Sequence, residues 1–250
     1  MSDKNKIAWV TGASSGIGKA LCIKLINNDW TVIGSSRNIN NLKNLKLELG
    51  ENFYFMTVDI KNRNSINSAV KKIFSEIGNI DLAILNAGIY QPETDGLNID
   101  ISEDTISTNV IGTMNCLSAI LPEFIQRGNG HLVLMSSIAG YRGLPKAYSY
   151  TSSRAAIINL AESLKIDLTS KGIKIQLITP GFVDTELTQK NDFYMPFLIN
   201  SETAASMIIK GLSKNNFEIT FPRKLSYIMK ILRILPYPLY FLIVRQFTKK

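Results

Sequence analysis

Short apolar, β-branched runs alternate with segments of helical period along most of this 250-residue chain, and no other feature limits the fold as strongly. Strand-like runs occupy residues 7–10, 31–34, 53–58, 82–85, 131–136 and 173–179. Between them lie segments with apolar residues three and four apart, as with Ala20, Leu21, Ile23, Leu25 and Ile26, or Leu42, Leu45 and Leu49. These predict helices over 19–28, 40–49, 65–77, 104–126 and 150–170. Each strand followed by a helix of that length calls for a right-handed crossover and a parallel sheet covered on both faces. The expectation is an α/β, doubly wound Rossmann-type fold, with ligands bound beyond the carboxyl ends of the strands.

The turn after the first strand carries Gly12, Gly16 and Gly18. Glycine there permits a tight turn, close approach of backbone to a phosphate and close packing of helix on sheet, while the helix N-terminus offers unpaired N–H groups to an anion. The second strand ends in Ser35-Ser36-Arg37, without the acid that would accept from a ribose 2′-hydroxyl. Arg37 instead suits a 2′-phosphate, so the expected cofactor is NADP(H). Asp59, after the third strand, is suited either to the adenine amino group or to capping the next turn. Asn86-Ala87-Gly88 follows the fourth strand and is expected near the adenosine ribose.

Downstream come Ser137, at the end of the fifth strand, then Tyr150 and, one helical turn on, Arg154. Residues four apart share a helix face. Carbonyl reduction needs a proton donor at the developing alkoxide, and a tyrosine serves if a nearby cation favours its phenolate form. Ser137 is expected to hold the substrate oxygen. Asn109, inside the long helix, is expected to organise a water chain or a local backbone kink. Tyr148 has Ser152 at the i+4 position and so lacks a cation; it is expected to line the substrate site.

Taken together these residues resemble the short-chain dehydrogenase/reductase superfamily. The resemblance runs from about Lys6 to Pro222 and rests on Thr11-Gly12-Ala13-Ser14-Ser15-Gly16-Ile17-Gly18, Asp59-Ile60, Asn86-Ala87-Gly88, Asn109-Val110, Ser136-Ser137 with Ala139-Gly140, Tyr150, and Pro180-Gly181 with Val183-Asp184-Thr185. It implies Asn109, Ser137 and Tyr150 as catalytic positions, Tyr150 as general acid/base, Thr185 at the nicotinamide carboxamide, and the remaining motif residues as the cofactor bed. One departure stands out. The family pattern is Y-x-x-x-K, and Arg154 occupies the lysine position. Arginine keeps the charge but is bulkier, planar and not readily deprotonated, so the alternative to an enzyme is an impaired NADP(H)-binding sensor or membrane-associated scaffold. The resemblance also implies a homodimer or homotetramer that pairs the long helices 104–126 and 150–170.

The net charge is +8, and no acidic residue follows Glu218. Arg223, Lys224, Lys230, Arg233, Arg245, Lys249 and Lys250 carry most of the excess. The chain therefore divides into one domain over 1–220, with a substrate lid at about 186–200, and a basic, apolar helical tail over 221–250. Leu187, Phe193, Tyr194, Met195, Pro196, Phe197 and Leu198 give the lid an aromatic, apolar character suited to a lipophilic alcohol or carbonyl. In the tail, Leu225, Ile228, Leu232 and Leu235 form one stripe with Lys230 and Arg233 off it, the pattern of an interfacial helix at an anionic membrane. Positive charges interleaved with aliphatics argue against nucleic acid. No run reaches the roughly 18 apolar residues of a membrane span, and the N-terminus has no apolar signal core. Cys22 and Cys116 read as buried thiols in a reduced, cytoplasmic setting, His131 as a solvated loop residue, and no metal cluster is expected.

Overall fold

The computed structural model describes residues 6–248. Strands β1 (Ile7–Thr11), β2 (Thr31–Ser36), β3 (Phe53–Thr57), β4 (Leu82–Leu85), β5 (Gly130–Met135) and β6 (Ile173–Pro180) join β9 (Glu218–Phe221) in a parallel sheet of order β3-β2-β1-β4-β5-β6-β9. A short parallel pair, β7 (Val183–Asp184) and β8 (Ile199–Asn200), brackets the predicted lid. Strand β9 spans the expected division at residue 220 and pairs with β6, so the last segment leaves from within the sheet.

Helices α1 (Gly16–Ile26), α2 (Ile39–Leu49), α3 (Arg63–Lys72), α4 (Ile99–Ile106), α5 (Gly112–Arg127), α6 (Tyr148–Leu168) and α7 (Ser201–Leu212) surround the sheet, followed by α8 (Arg223–Ile234) and α9 (Tyr237–Thr248). Two apolar layers result. Trp9, Ile33, Leu85, Leu132 and Leu134 meet the α3, α5 and α6 side, while Val10, Val32, Ile84, Val133 and Ile178 meet the α1, α2 and α7 side. Burial on both faces is why the strands read as continuous apolar runs rather than as alternation. The strand order reverses between β1 and β4, and the crevice beyond their carboxyl ends is the switch point where such folds take ligands.

Helix starts differ from expectation by a few residues. α1 begins at Gly16, inside the glycine turn. The long helix begins at Ile99, where the Asn98 side chain accepts from the N–H groups of Asp100 and Ile101, a cap lying upstream of the apolar pattern. It is broken into α4 and α5 by a wide turn over Ser107–Ile111. His131 lies in β5, in keeping with the strand read over 131–136, and this corrects its separate reading as a solvated loop residue. Its Nε2 is 2.8 Å from Gln176 Oε1, and burial, with the Lys174 charge, pushes its pKa down to about 4. Cys22 and Cys116 are buried, and burial raises both thiols, Cys116 to about 12.

Candidate active site

A cleft of about 580 Å³ opens at the switch point, within the size range of cofactor and ligand sites. Its floor is the glycine turn. Gly12 adopts φ +68°, and a Cβ there would lie 2.9 Å from Ala87 Cα. A Cβ on Gly18 would lie 2.0 Å from the Gly12 carbonyl oxygen, so nothing larger than glycine lets α1 start this close to β1. Asn86 locks the turn from the other strand: its Nδ2 donates to the carbonyls of Thr11 at 3.0 Å and Gly12 at 3.3 Å. Thr11 Oγ1 in turn accepts from the N–H groups of Asn86 and Ala87, both at 3.0 Å. Gly16 faces Thr185, whose methyl would lie 3.0 Å from a Cβ at that position. Ser14, Ser15, Ile17, Ile60, Pro180, Gly181 and Val183 complete the walls around this bed.

Arg37 is exposed and lines the cleft, as do Ser14, Ser15 and Asn38. Asp59 lines the cleft and also caps the turn that follows, accepting from Lys61 N at 3.0 Å. Both uses foreseen for it are compatible with its position.

Ser137, Tyr150 and Arg154 also line the cleft. Ser137 is buried; its Oγ accepts from Ala139 N at 3.1 Å and donates to Pro180 O at 3.3 Å. Arg154 is 4% exposed. Its guanidinium lies 5.0 Å from the Tyr150 ring centroid, as the four-residue spacing requires, and donates to Met135 O at 3.1 Å. Arg154 Nε is buried without a hydrogen-bond partner among the described residues. Gly88 makes room for this guanidinium: a Cβ there would come within 2.4 Å of Arg154 Nη2.

Asn109 sits behind the cleft wall. It is fully buried in the wide turn between α4 and α5. Its Oδ1 accepts from Ile89 N at 2.8 Å, and its Nδ2 donates to Ile89 O and Ser153 Oγ, each at 3.0 Å. It ties the loop after β4 to α6, next to Arg154. The kink is present, and this tie is the use of the side chain seen here.

Two expectations for the substrate end are corrected. Tyr148 is 45% exposed at the start of α6 and lies off the cleft wall. The aromatic residues Phe193, Tyr194 and Phe197 also stay off the wall and remain exposed; of the apolar lid residues named, Leu187 reaches the cleft, with Glu186, Thr188 and Lys190 beside it in the chain. Their place is set by the short turn Thr188–Lys190, from which Lys190 Nζ donates to Tyr90 O at 3.0 Å.

Sequence reasoning missed Tyr90 and Glu93. The Tyr90 ring meets Tyr150 edge-on at 4.9 Å, and burial with the neighbouring Tyr150, Asp192 and Glu93 raises its pKa. Glu93 is 2% exposed and accepts from the N–H and hydroxyl of Ser149, at 2.8 and 2.9 Å, fixing the first turn of α6. The only signal was an aromatic two residues past Gly88, followed by the two acids Glu93 and Asp95.

Comparisons with known proteins agree with this geometry. Residues 6–193 match the family model described as short chain dehydrogenase. An oxidoreductase from Myxococcus xanthus (strain DK1622) is 34% identical over 239 residues, covering 94% of each chain. The 3-oxoacyl-acyl-carrier-protein reductase FabG of Salmonella typhimurium is 31% identical over 193 residues, 76% of this chain and 78% of the reductase. Among solved structures, ElxO with NADP bound superposes with a TM-score of 0.78 at 27% identity, over 87% of this chain and 98% of ElxO. A Burkholderia cenocepacia short chain dehydrogenase in complex with NADP shares the fold, with a TM-score of 0.81 at 24% identity over 94% of this chain and 95% of that one.

Proposed function

Because the chain belongs to the short-chain dehydrogenase family, we propose that it interconverts a lipophilic alcohol and its carbonyl with NADP(H), Tyr150 acting as general acid/base. The carrying observation is one cleft with a backbone anion bed at one end and Tyr150 beside a buried guanidinium at the other. The residues fit the cofactor. Gly12, Gly16 and Gly18 leave the α1 N-terminus open to a pyrophosphate. Arg37, with Ser14 and Ser15, offers charge and hydrogen bonds to a 2′-phosphate, and Arg154, which lines the cleft, offers a cationic group toward the ribose. Bound there, NADP(H) supplies or accepts the hydride at the substrate carbon.

The protein groups handle the oxygen and the proton. Ser137 Oγ turns from Pro180 O to hold the carbonyl oxygen. Tyr150 donates its phenolic proton to that oxygen as the carbon is reduced, and takes a proton back from the alcohol in the reverse direction. Arg154 holds its guanidinium over the Tyr150 ring, and Asn109 keeps α6 in register through Ser153. Ile89, Tyr90 and Leu187 give the substrate end an apolar wall, in keeping with a lipophilic substrate. Ile111, Met114, Ile125 and Ile166 are exposed on or beside α5 and α6, which supports a homodimer or homotetramer through those helices. The basic C-terminal segment is proposed to hold the enzyme at an anionic membrane face.

The test is NADPH and NADH binding to the purified protein, followed by NADPH oxidation with a panel of lipophilic ketones and aldehydes. Binding that favours NADPH, with turnover lowered about 10³-fold or more in Tyr150→Phe, is expected. Unchanged turnover in that variant overturns the assignment of Tyr150.

A further inference from the structure

The apolar residues of α8 are divided between two faces, where the sequence suggests one stripe. Leu225 and Met229 are buried and Leu232 is half-buried against the core. On the outside, Tyr227, Ile228, Ile231 and Ile234 are exposed, at spacings of three and four residues that make a single face. α9 shows the same division. Tyr240 is buried, its hydroxyl donating to Gly143 O. Tyr237 and Tyr240 flank the Arg142 guanidinium at 4.5 and 4.7 Å, and Arg142 donates to Leu235 O at 3.0 Å. Leu239, Phe241 and Leu242 nevertheless stay exposed. The helix pair is thus fastened to the domain by one side and leaves apolar side chains bare on another.

Charge indicates what covers them. Arg223 and Lys224 share the outer face of α8 and Arg245 is exposed on α9, whereas Arg233 turns toward the Tyr141 ring at 6.0 Å; no acid follows Glu218, which is itself engaged by Lys230. A second copy seated here by two-fold symmetry would set like charge against like charge, which is unfavourable. Anionic headgroups satisfy both the cations and the apolar face. No helix among the described residues is long and apolar enough to cross a membrane, so the pair is suited to lying in the interface plane.

Resting on the membrane contact named above, we propose that the outer face of α8 and α9 is the docking surface for a bilayer bearing anionic headgroups, and that it presents the cleft to membrane-dissolved substrate. Behind the docking face, Pro222 and Leu225 close against Gly181: atoms of their side chains would lie 3.0 and 3.1 Å from a Cβ there. Gly181 lines the cleft. Cleft and bilayer are then separated by about the width of one helix.

The experiment is flotation of the full chain with phosphatidylcholine vesicles, with and without phosphatidylglycerol, and NADPH binding and molar mass measured on the same samples. The wild type is expected to float with the anionic vesicles alone. Ile231→Glu, and Arg223→Ser combined with Lys224→Ser, are each expected to lower the bound fraction about tenfold while NADPH binding stays unchanged. No flotation, or flotation untouched by both variants, overturns the proposal. A lower molar mass for Ile231→Glu, with no flotation of the wild type, assigns the face to a second copy instead. Flotation without NADPH binding leaves the docking surface standing and removes the oxidoreductase reading, so the two failures are distinguishable.

Discussion

The two ends of the cleft are built by different means. At the β1 and β4 end the constraint is steric and lies in the backbone: Gly12 and Gly18 pack against main-chain atoms, and Asn86, after β4, donates to the carbonyls of Thr11 and Gly12 at the end of β1. At the β5 and α6 end the constraint lies in side chains gathered from four segments. Arg154 rests against Tyr150, Met135 O and Gly88, while Asn109 and Glu93 hold the helix that carries it. The first end accepts no substitution at its glycines. The second depends on which neighbours make room, as Gly88 does for the Arg154 guanidinium.

The largest expected effect therefore falls at the backbone end. Gly18→Ala puts a methyl 2.0 Å from the Gly12 carbonyl oxygen, and that atom is main chain and cannot swing aside. We expect α1 to shift, NADPH binding to be lost, and stability to fall by about 3 kcal/mol, at the upper end of overpacking costs. Denaturant unfolding and cofactor titration measure both. A variant that binds NADPH normally would show that the turn is far more yielding than its contacts indicate.

The second prediction sharpens the contrast. Arg154→Lys keeps the charge but gives up the guanidinium's 5.0 Å contact with the Tyr150 ring and its fixed fork of donors, one of which reaches Met135 O. We expect turnover to change by about tenfold in either direction with stability within about 1 kcal/mol of wild type, because volume is removed rather than added. Gly88→Ala is expected to damage the wild type, where the methyl meets Arg154 Nη2 at 2.4 Å, and to be milder when combined with Arg154→Lys. Additive losses in the double variant would show that the two sites are uncoupled.

The same contrast explains what could be read in advance. Strands buried on both faces leave unbroken apolar runs, and steric demands for glycine leave a fixed motif, so the sheet, the glycine turn and the Tyr150–Arg154 contact were legible. Side-chain ties leave no period. Glu93 reaches α6 across 56 residues of sequence, and nothing near it announces the contact. The tail failed for another reason. When both faces of a helix are apolar, spacing alone does not say which turns inward: Leu225 and Leu232 went to the core, while Ile228 stayed out with Tyr227 and Ile231. The aromatic residues at 193–198 were likewise read as a wall because they are apolar, yet the turn Thr188–Lys190 brings a different set to the cleft.

His131 gives the smallest effect at neutral pH, at the edge of β5 away from both ends of the cleft. Its folded pKa of about 4 lies below the ordinary value of 6.5, because burial and Lys174 disfavour the imidazolium. The unfolded chain therefore takes up this proton first as pH falls. The contribution to stability is complete above about pH 6.5, declines as pH drops toward 4, and is constant below that, a loss of up to about 3 kcal/mol. His131→Gln retains a partner for Gln176 and cannot titrate. Its unfolding free energy, followed from pH 7 to pH 4, is expected to decline less steeply than that of the wild type, with the two curves closest at the acid end. Parallel curves would mean that the imidazole is protonated within the fold, and that the Gln176 contact in β6 is strong enough to offset its burial.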